Sequence, residues 1–259
     1  MYPLGIVTGP ETSPDSVLEP VLDRLEAEGS VGVVRPGDPT AERTVYEVGE
    51  DGWAAQGEGL DAESALSTVA TAHDYGLLVD FPDAAVPQIA VGAVDIEEPA
   101  MVAESLQALD LDAVVATAEA GEPIETLDSL IAQVKASPKA ELSGAIATFT
   151  GRVRAKEDPE DDPTESLTFE KYEGVAETRM AEIEAELTDW DGVYEVAMHH
   201  RVGRIERGED IVFVVVLAGH RDQAFEAVEA GINRIKDEVP IFKKETTVAE
   251  EFWVHEREH

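Results

Sequence analysis

Arg234-Ile-Lys-Asp-Glu-Val-Pro-Ile-Phe-Lys-Lys-Glu245 sets four basic residues in a chain that otherwise avoids them. The segment joins the end of a helical pattern, Asp222 to Asp237, to a returning strand, Pro240 to Thr246. Upstream lie the strand patterns Tyr194 to Val202 and Asp210 to Ala218, with Gly203 to Glu209 read as the turn between them. Glu141 to Arg154 reads as a long apolar-rich strand and Ser166 to Tyr172 alternates like a half-buried one. Val175 to Leu187 has the spacing of an amphipathic helix, and Thr126 to Lys135 that of a short one. Ala155 to Glu165 is a loop rich in Pro and Asp. Strands interrupted by helices in this way predict an α+β domain with a mainly antiparallel sheet.

Working outward, the whole chain has 259 residues with 19 Lys plus Arg against 56 Asp plus Glu, a formal charge of -37. Before residue 123 the only basic residues are Arg24, Arg35 and Arg43, and no lysine precedes Lys135. A surface so poor in cations makes any cluster of them a candidate anion site. The acidity is dispersed over both halves, which fits a saline cytoplasm. At about 1 M salt the Debye length falls to roughly 3 Å, and scattered carboxylates stop repelling one another. The same charge argues against nucleic acid and anionic membranes as partners. With 43% hydrophobic residues the chain is long enough for two domains with their own cores. No apolar stretch reaches the length of a membrane span, and Met1-Tyr-Pro-Leu-Gly5 lacks the basic start of a signal peptide. The expected location is cytoplasmic.

The composition break falls near Gly121-Glu-Pro123, which divides the chain into expected domains 1–122 and 123–259. The first domain alternates strands and helices. Leu4 to Thr8, Val31 to Val34, Thr44 to Val48, Tyr75 to Asp80 and Gln88 to Gly92 read as strands, Ser13 to Glu28 and Asp61 to Ala72 as helices. That order predicts an α/β layer with a mainly parallel sheet.

Four pieces of the second domain carry a family likeness in order and spacing. They are Phe149-Thr-Gly-Arg-Val-Arg154, Gly219-His-Arg221, Lys236, and Pro240-Ile-Phe-Lys-Lys-Glu245. Weaker support comes from His200-Arg-Val-Gly203, Gly208 to Val214, Ala224-Phe-Glu226 and Trp253-Val254. Over about residues 140 to 257 the chain resembles the MoaE family, the large catalytic subunits of molybdopterin synthase. Relatives often have Lys-Arg at positions 243 and 244 and Phe-Trp at 241 and 242. The resemblance implies an α/β hammerhead fold and a sulfurtransferase that turns cyclic pyranopterin monophosphate into molybdopterin by dithiolene formation. It implies a homodimer within a heterotetramer, flanked by small ubiquitin-like, MoaD-like subunits that bring sulfur as a thiocarboxylate on a Gly-Gly tail. It implies no resident cofactor and no metal. By position, Arg152, Val153, Arg154, His220, Arg221, Lys236, Lys243, Lys244 and Glu245 would line the substrate site, with Lys236 and Lys243 catalytic.

The residue chemistry agrees with this reading. The chain has no cysteine, so it can hold neither a persulfide nor a thiolate metal site, and sulfur must arrive on a partner or a bound group. Arginine offers a planar fork to a cyclic phosphate. Replacing oxygen by sulfur calls for proton donation, which a lysine serves once burial or neighbouring cations lower its pKa. Crowding of Lys236, Lys243 and Lys244 works in that direction. Taken singly, each feature has a plainer reading: a Lys-Lys pair on a solvated strand edge, His220 as a strand-end residue, Arg152 on the surface. Phe149, Phe213 and Phe225 read as core. His199, His200, His255 and His259 lack metal spacing and receive no chemical role.

Gly5-Ile-Val-Thr-Gly-Pro-Glu-Thr-Ser13 stands where a phosphate-binding loop would stand, but Pro10 and Glu11 replace the glycine and lysine it needs. Tyr75 to Ala90 is similar to the acidic-strand region of MobB, the adaptor for guanine dinucleotide attachment. The first domain is therefore read as a degenerate P-loop-like, MobB-like fold kept for packing or partner contact. Two alternatives stand beside the synthase: a scaffold whose lysines accept ubiquitin-like modifiers, and a nucleotide-binding adaptor for guanine dinucleotide cofactor maturation.

Overall fold

The computed structural model describes residues 1–37, 44–50, 52–156, 158, 160–172, 174–247 and 251–254, the last four by backbone alone. Arg43, His255 and His259 lie outside them, as does part of the 155–165 loop. The chain divides into two compact units, Met1–Thr126 and Leu127–His259.

In the first unit, β1 (Tyr2–Thr8), α1 (Pro14–Glu26), β2 (Val31–Val34), β3 (Val45–Val48), β4 (Trp53–Gln56), α2 (Ala62–Val69), β5 (Tyr75–Val79), β6 (Gln88–Val91), β7 (Met101–Ala103) and α3 (Leu111–Glu119) follow one another. The parallel sheet runs in the order β2-β5-β1-β6-β7. Every residue of β5 is buried because helices cover both faces of the sheet, as parallel sheets require. Leu77 packs with Val17, Val21 and Leu25 of α1 and Val114 and Ala118 of α3, while Leu78 packs with Leu66 of α2. Three elements go beyond the expected set: β4, which pairs with the expected β3 as a separate antiparallel hairpin, the edge strand β7, and helix α3.

The second unit opens with α4 (Leu127–Lys135). There follow β8 (Ala145–Arg152), β9 (Thr164–Lys171), α5 (Val175–Thr188), β10 (Val193–His200), β11 (Gly203–Glu206), β12 (Asp210–Ala218), α6 (Arg221–Glu238), β13 (Ile241–Thr247) and β14 (Glu251–Val254). Two antiparallel sheets form, β10-β12-β8 and β11-β9-β13-β14. The continuous apolar run of β12 serves two cores through its period-2 alternation. Val212, Val214, Val216 and Ala218 face the core shared with α5 and α6, and Phe213, Val215 and Leu217 face α4. Helices α5 and α6 are held together by ions as well as by packing. Arg179 pairs with Glu182, Glu186 and Glu238, and Arg234 Nη2 meets Glu186 Oε2 at 2.6 Å and its Nε meets Glu238 Oε1 at 2.8 Å.

Two expectations fail here: Phe225 of α6 is exposed and not core, and Gly203 to Glu206 is a strand, not part of a turn. It pairs with β9 and buries Ile205 completely, and the turn is confined to residues 207–209 around Gly208, whose φ is +91°. The flanking charges, Arg204 and Glu206, hid a four-residue alternation with a single apolar member.

Candidate active site

A cleft of about 1180 Å³ opens in the second unit, lined by the ends of β8, β9 and β10, the start of β12, the last turns of α6, and β13. Its floor is apolar, with Phe149, Leu167, Phe169, Val212, Ile232 and Ile235. Its charge is the reverse of the chain's. Arg152, Arg154, Lys171, Lys236 and Lys243 line it, against the carboxylates Glu170 and Glu245. In a chain of formal charge -37, five cations against two carboxylates is a concentrated site for an anion.

The local folding rules explain who points inward. Lys236 follows Ile232 by four residues, so both share one face of α6, and its position in the last turn suits the negative helix end. On β13 Lys243 and Glu245 fall on the same face, and Lys243 stands opposite Phe169 of β9. Lys244 lies between them in the alternation and does not line the cleft, so the crowding of three lysines reduces to Lys236 and Lys243.

The side chains are anchored unequally. Arg152 Nε lies 3.1 Å from Asp210 Oδ1, and its Nη2 donates to the Gly208 carbonyl. The Thr164 hydroxyl donates to Glu245 Oε1. Val153 is 2% exposed and belongs to the core, with its N–H bonded to the Glu209 carbonyl, so it supports Arg152 and Arg154 from beneath. His220 and Arg221 are exposed at the opposite end of α6. His220 N–H donates to Gln223 Oε1, and Arg221 Nε lies 3.3 Å from Asp222 Oδ1. At about 1.5 Å per residue, Arg221 sits roughly 22 Å along the helix from Lys236. One chain therefore gathers Arg152, Arg154, Lys236, Lys243 and Glu245 and leaves His220 and Arg221 apart.

Several cleft residues escaped the sequence reading. Lys171 is almost buried and pairs with Glu177 Oε1 at 2.7 Å. Tyr172 and Phe242 form an edge-to-face pair, 5.3 Å between centroids, and both rings are exposed on the cleft. His200 is buried, its ring set edge-on to Phe169 at 4.9 Å, with Nδ1 2.7 Å from the Arg201 carbonyl. Burial pushes its pKa down to about 4; the Arg201 carbonyl opposes this and Lys171 adds to it. The adjacent His199, on the other face of β10, is also pushed down to about 4, again mainly by burial. The inward spacing of Lys171 and His200 was visible only once their strands were paired. Among the described residues, no group of three or more His, Asp or Glu side chains could hold a metal ion. Nor is any helix among them long and apolar enough to cross a membrane.

In the first unit, Thr8 at the end of β1 and Gly9 and Thr12 of the β1–α1 loop direct their donors to the protein itself. Gly9 N–H bonds the Val91 carbonyl, Thr12 N–H the Gly9 carbonyl, and Thr8 N–H and hydroxyl both reach Asp80 Oδ1, at 3.1 and 3.2 Å. Asp80 adopts φ +55°, a left-handed conformation that turns its carboxylate toward Thr8.

Comparison with known proteins bears on both units. The family model described as MoaE protein matches residues 120–238. A probable molybdopterin synthase of Haloferax volcanii is 48% identical over 99% of this chain and 100% of its own length. The molybdopterin synthase catalytic subunit of Yersinia pestis is 39% identical over 44% of this chain and 75% of its own. The solved structure of Bacillus subtilis MobB is similar at 11% identity and a TM-score of 0.36, covering 46% of this chain and 98% of that one. At that level the fold of the first unit is read from its own strand order instead.

Proposed function

Because the chain belongs to the MoaE family of molybdopterin synthase catalytic subunits, enzymes of molybdenum cofactor biosynthesis, we propose that the cleft holds cyclic pyranopterin monophosphate while sulfur is delivered to it. The observation that carries this is the cluster of five cations over an apolar floor, in a chain otherwise stripped of them. Arg152 and Arg154 take the phosphate through their forked donors. The apolar floor and the Tyr172–Phe242 pair suit a flat ring system. The sulfur comes from outside, since the chain has no cysteine. A small ubiquitin-like partner presents its C-terminal thiocarboxylate, and Lys236 receives that anionic tail. The thiocarboxylate sulfur bonds to the substrate carbon as the carbon–oxygen bond breaks, the displaced oxygen leaving as water at one carbon and as the freed phosphate oxygen at the other with Lys243 supplying the proton, and hydrolysis of the acyl–sulfur bond returns the carrier as a carboxylate. Two such transfers complete the dithiolene.

His220 and Arg221 enter through dimerisation. The roughly 22 Å between Arg221 and Lys236 along α6 keeps them from one another's site within a chain, so in the homodimer they serve the cleft of the second copy. The test is product formation from thiocarboxylated carrier and substrate. Lys243→Ala and Lys236→Ala proteins lose turnover, and a mixed dimer of Lys243→Ala with Arg221→Ala chains regains one working site. Near-normal turnover of both lysine variants would sink the assignment.

For the first unit, the engaged donors of Thr8, Gly9 and Thr12, together with Pro10 and Glu11, favour a nucleotide fold kept for packing or partner contact over active nucleotide binding. Calorimetric titration with GTP and Mg²⁺ checks it; micromolar affinity overturns it.

A further inference from the structure

Every cation in the cleft is a donor only. Arg152, Arg154, Lys171, Lys236 and Lys243 can hold the acceptor oxygens of a phosphate, but not the N–H groups of a heterocycle. The acceptors on offer are few. Glu170 and Glu245 are carboxylates, which repel a phosphate bound nearby, and Glu245 already takes the Thr164 hydroxyl. His200 is of a different kind. Its Nδ1 lies 2.7 Å from the Arg201 carbonyl, which accepts but cannot donate, so Nδ1 carries the proton and Nε2 is left with its lone pair. Among the described residues Nε2 has no protein partner. The unpaired side-chain atoms sealed from solvent there are Gln88 Oε1 and Ser166 Oγ, and Nε2 of His200 is not one of them. The residue lines the cleft, so its one accessible polar atom opens into it. Phe169 holds the ring edge-on, at 4.9 Å between centroids.

We propose that His200 is a substrate-binding residue of this cleft, whose neutral Nε2 accepts a hydrogen bond from a ring N–H of the pterin. The inference rests on the proposed substrate. A neutral acceptor amid cations solves a recognition problem that neither lysine nor glutamate solves: it meets a donor without repelling the phosphate. Burial and the nearby Lys171 both oppose protonation, so the acceptor persists across the neutral range.

The experiment separates the two ring nitrogens. In His200→Asn the side-chain amide still reaches the Arg201 carbonyl but offers nothing at the ε position. In His200→Gln an amide oxygen reaches the ε position and the bond to Arg201 is lost. Binding of cyclic pyranopterin monophosphate is measured by calorimetry, and KM and kcat by dithiolene formation with thiocarboxylated carrier. The expected result is about a tenfold loss of affinity and rise in KM for His200→Asn, with kcat little changed and near-normal binding by His200→Gln. Wild-type binding by His200→Asn, or equal losses in both variants, overturns the assignment while leaving the synthase reading intact. If the wild-type protein neither binds nor converts the pterin, the synthase reading falls and this inference with it.

Discussion

Glu184, on the face of α5 turned to β10, gives the sharpest test of how this protein tolerates its own acidity. Its Oε1 accepts the Met198 N–H at 2.6 Å. Burial pushes its pKa from an ordinary 4.5 up to about 7; the Met198 bond opposes this, and Glu195 adds like-charge repulsion. The carboxyl is therefore protonated in the fold at pH values where it is ionised in the unfolded chain. A raised carboxyl contributes most below its unfolded pKa, and the contribution is lost as pH rises through the folded value. At about 1.4 kcal/mol per pH unit, the interval from an ordinary glutamate to about 7 corresponds to ~3 kcal/mol of stability missing above pH 7. Glu184→Gln keeps an acceptor for Met198 and cannot ionise. Its advantage over the wild type is near zero at pH 4.5, grows through pH 7, and then levels at ~3 kcal/mol. The assay is urea unfolding from pH 4.5 to 8.5 in a Trp53→Phe background, where the remaining tryptophans, Trp190 and Trp253, report on the second unit. His199 and His200 titrate alike in both proteins and cancel in the difference. A gap between wild type and variant that does not change with pH would refute the reasoning.

The two histidines give the opposite slope. Both are pushed down to about 4 in the fold from an ordinary 6.5, so their contribution is present above pH 6.5 and lost as pH falls toward 4. In Glu184→Gln the unfolding midpoint should therefore drop steadily over that range, and a flat profile refutes this. Ile205→Ala, at a fully buried position of β11, should cost about 2–5 kcal/mol in urea unfolding, and a loss below ~1 kcal/mol would deny β11 its place in the core. Raising KCl from about 0.1 to 1 M shortens the Debye length from about 10 to 3 Å, and the thermal midpoint should rise, as scanning calorimetry would show. A fall would mean that the 56 acidic residues are not the dominant strain at low salt.

The elements legible in the sequence were those whose periodicity is long or whose punctuation is strong. The apolar runs of β5 and β12, the 18-residue α6 and its stop at Pro240 needed no structure to find. Short elements with one apolar residue, such as β11, or with an exposed face, such as β4, were not legible, because tertiary pairing rather than local pattern forms them. The site divides on similar lines. Lys236 and Lys243 stood out because cations are scarce, and Arg152 and Arg154 because Phe149 to Arg154 resembles the family's motif. Lys171 and His200 did not, since their part depends on which strand face turns toward which sheet. The separation of His220 and Arg221 from Lys236 follows from helix length alone, yet motif order along the chain conceals it.

The ion pairs between α5 and α6 acquire a second meaning from their position. Arg234 and Glu238 flank Lys236 on α6, and each is tethered to Glu186 or Arg179 on α5. Each residue of an α-helix advances the azimuth by about 100°, so a slip of a single residue would swing the Lys236 ammonium out of the cleft altogether. The charges of α5 thus act as a rotational lock on Lys236, with which none of them pairs among the described residues. The lock also binds three carboxylates to two guanidiniums, so part of the chain's excess acidity fixes the angle at which its scarce cations are presented.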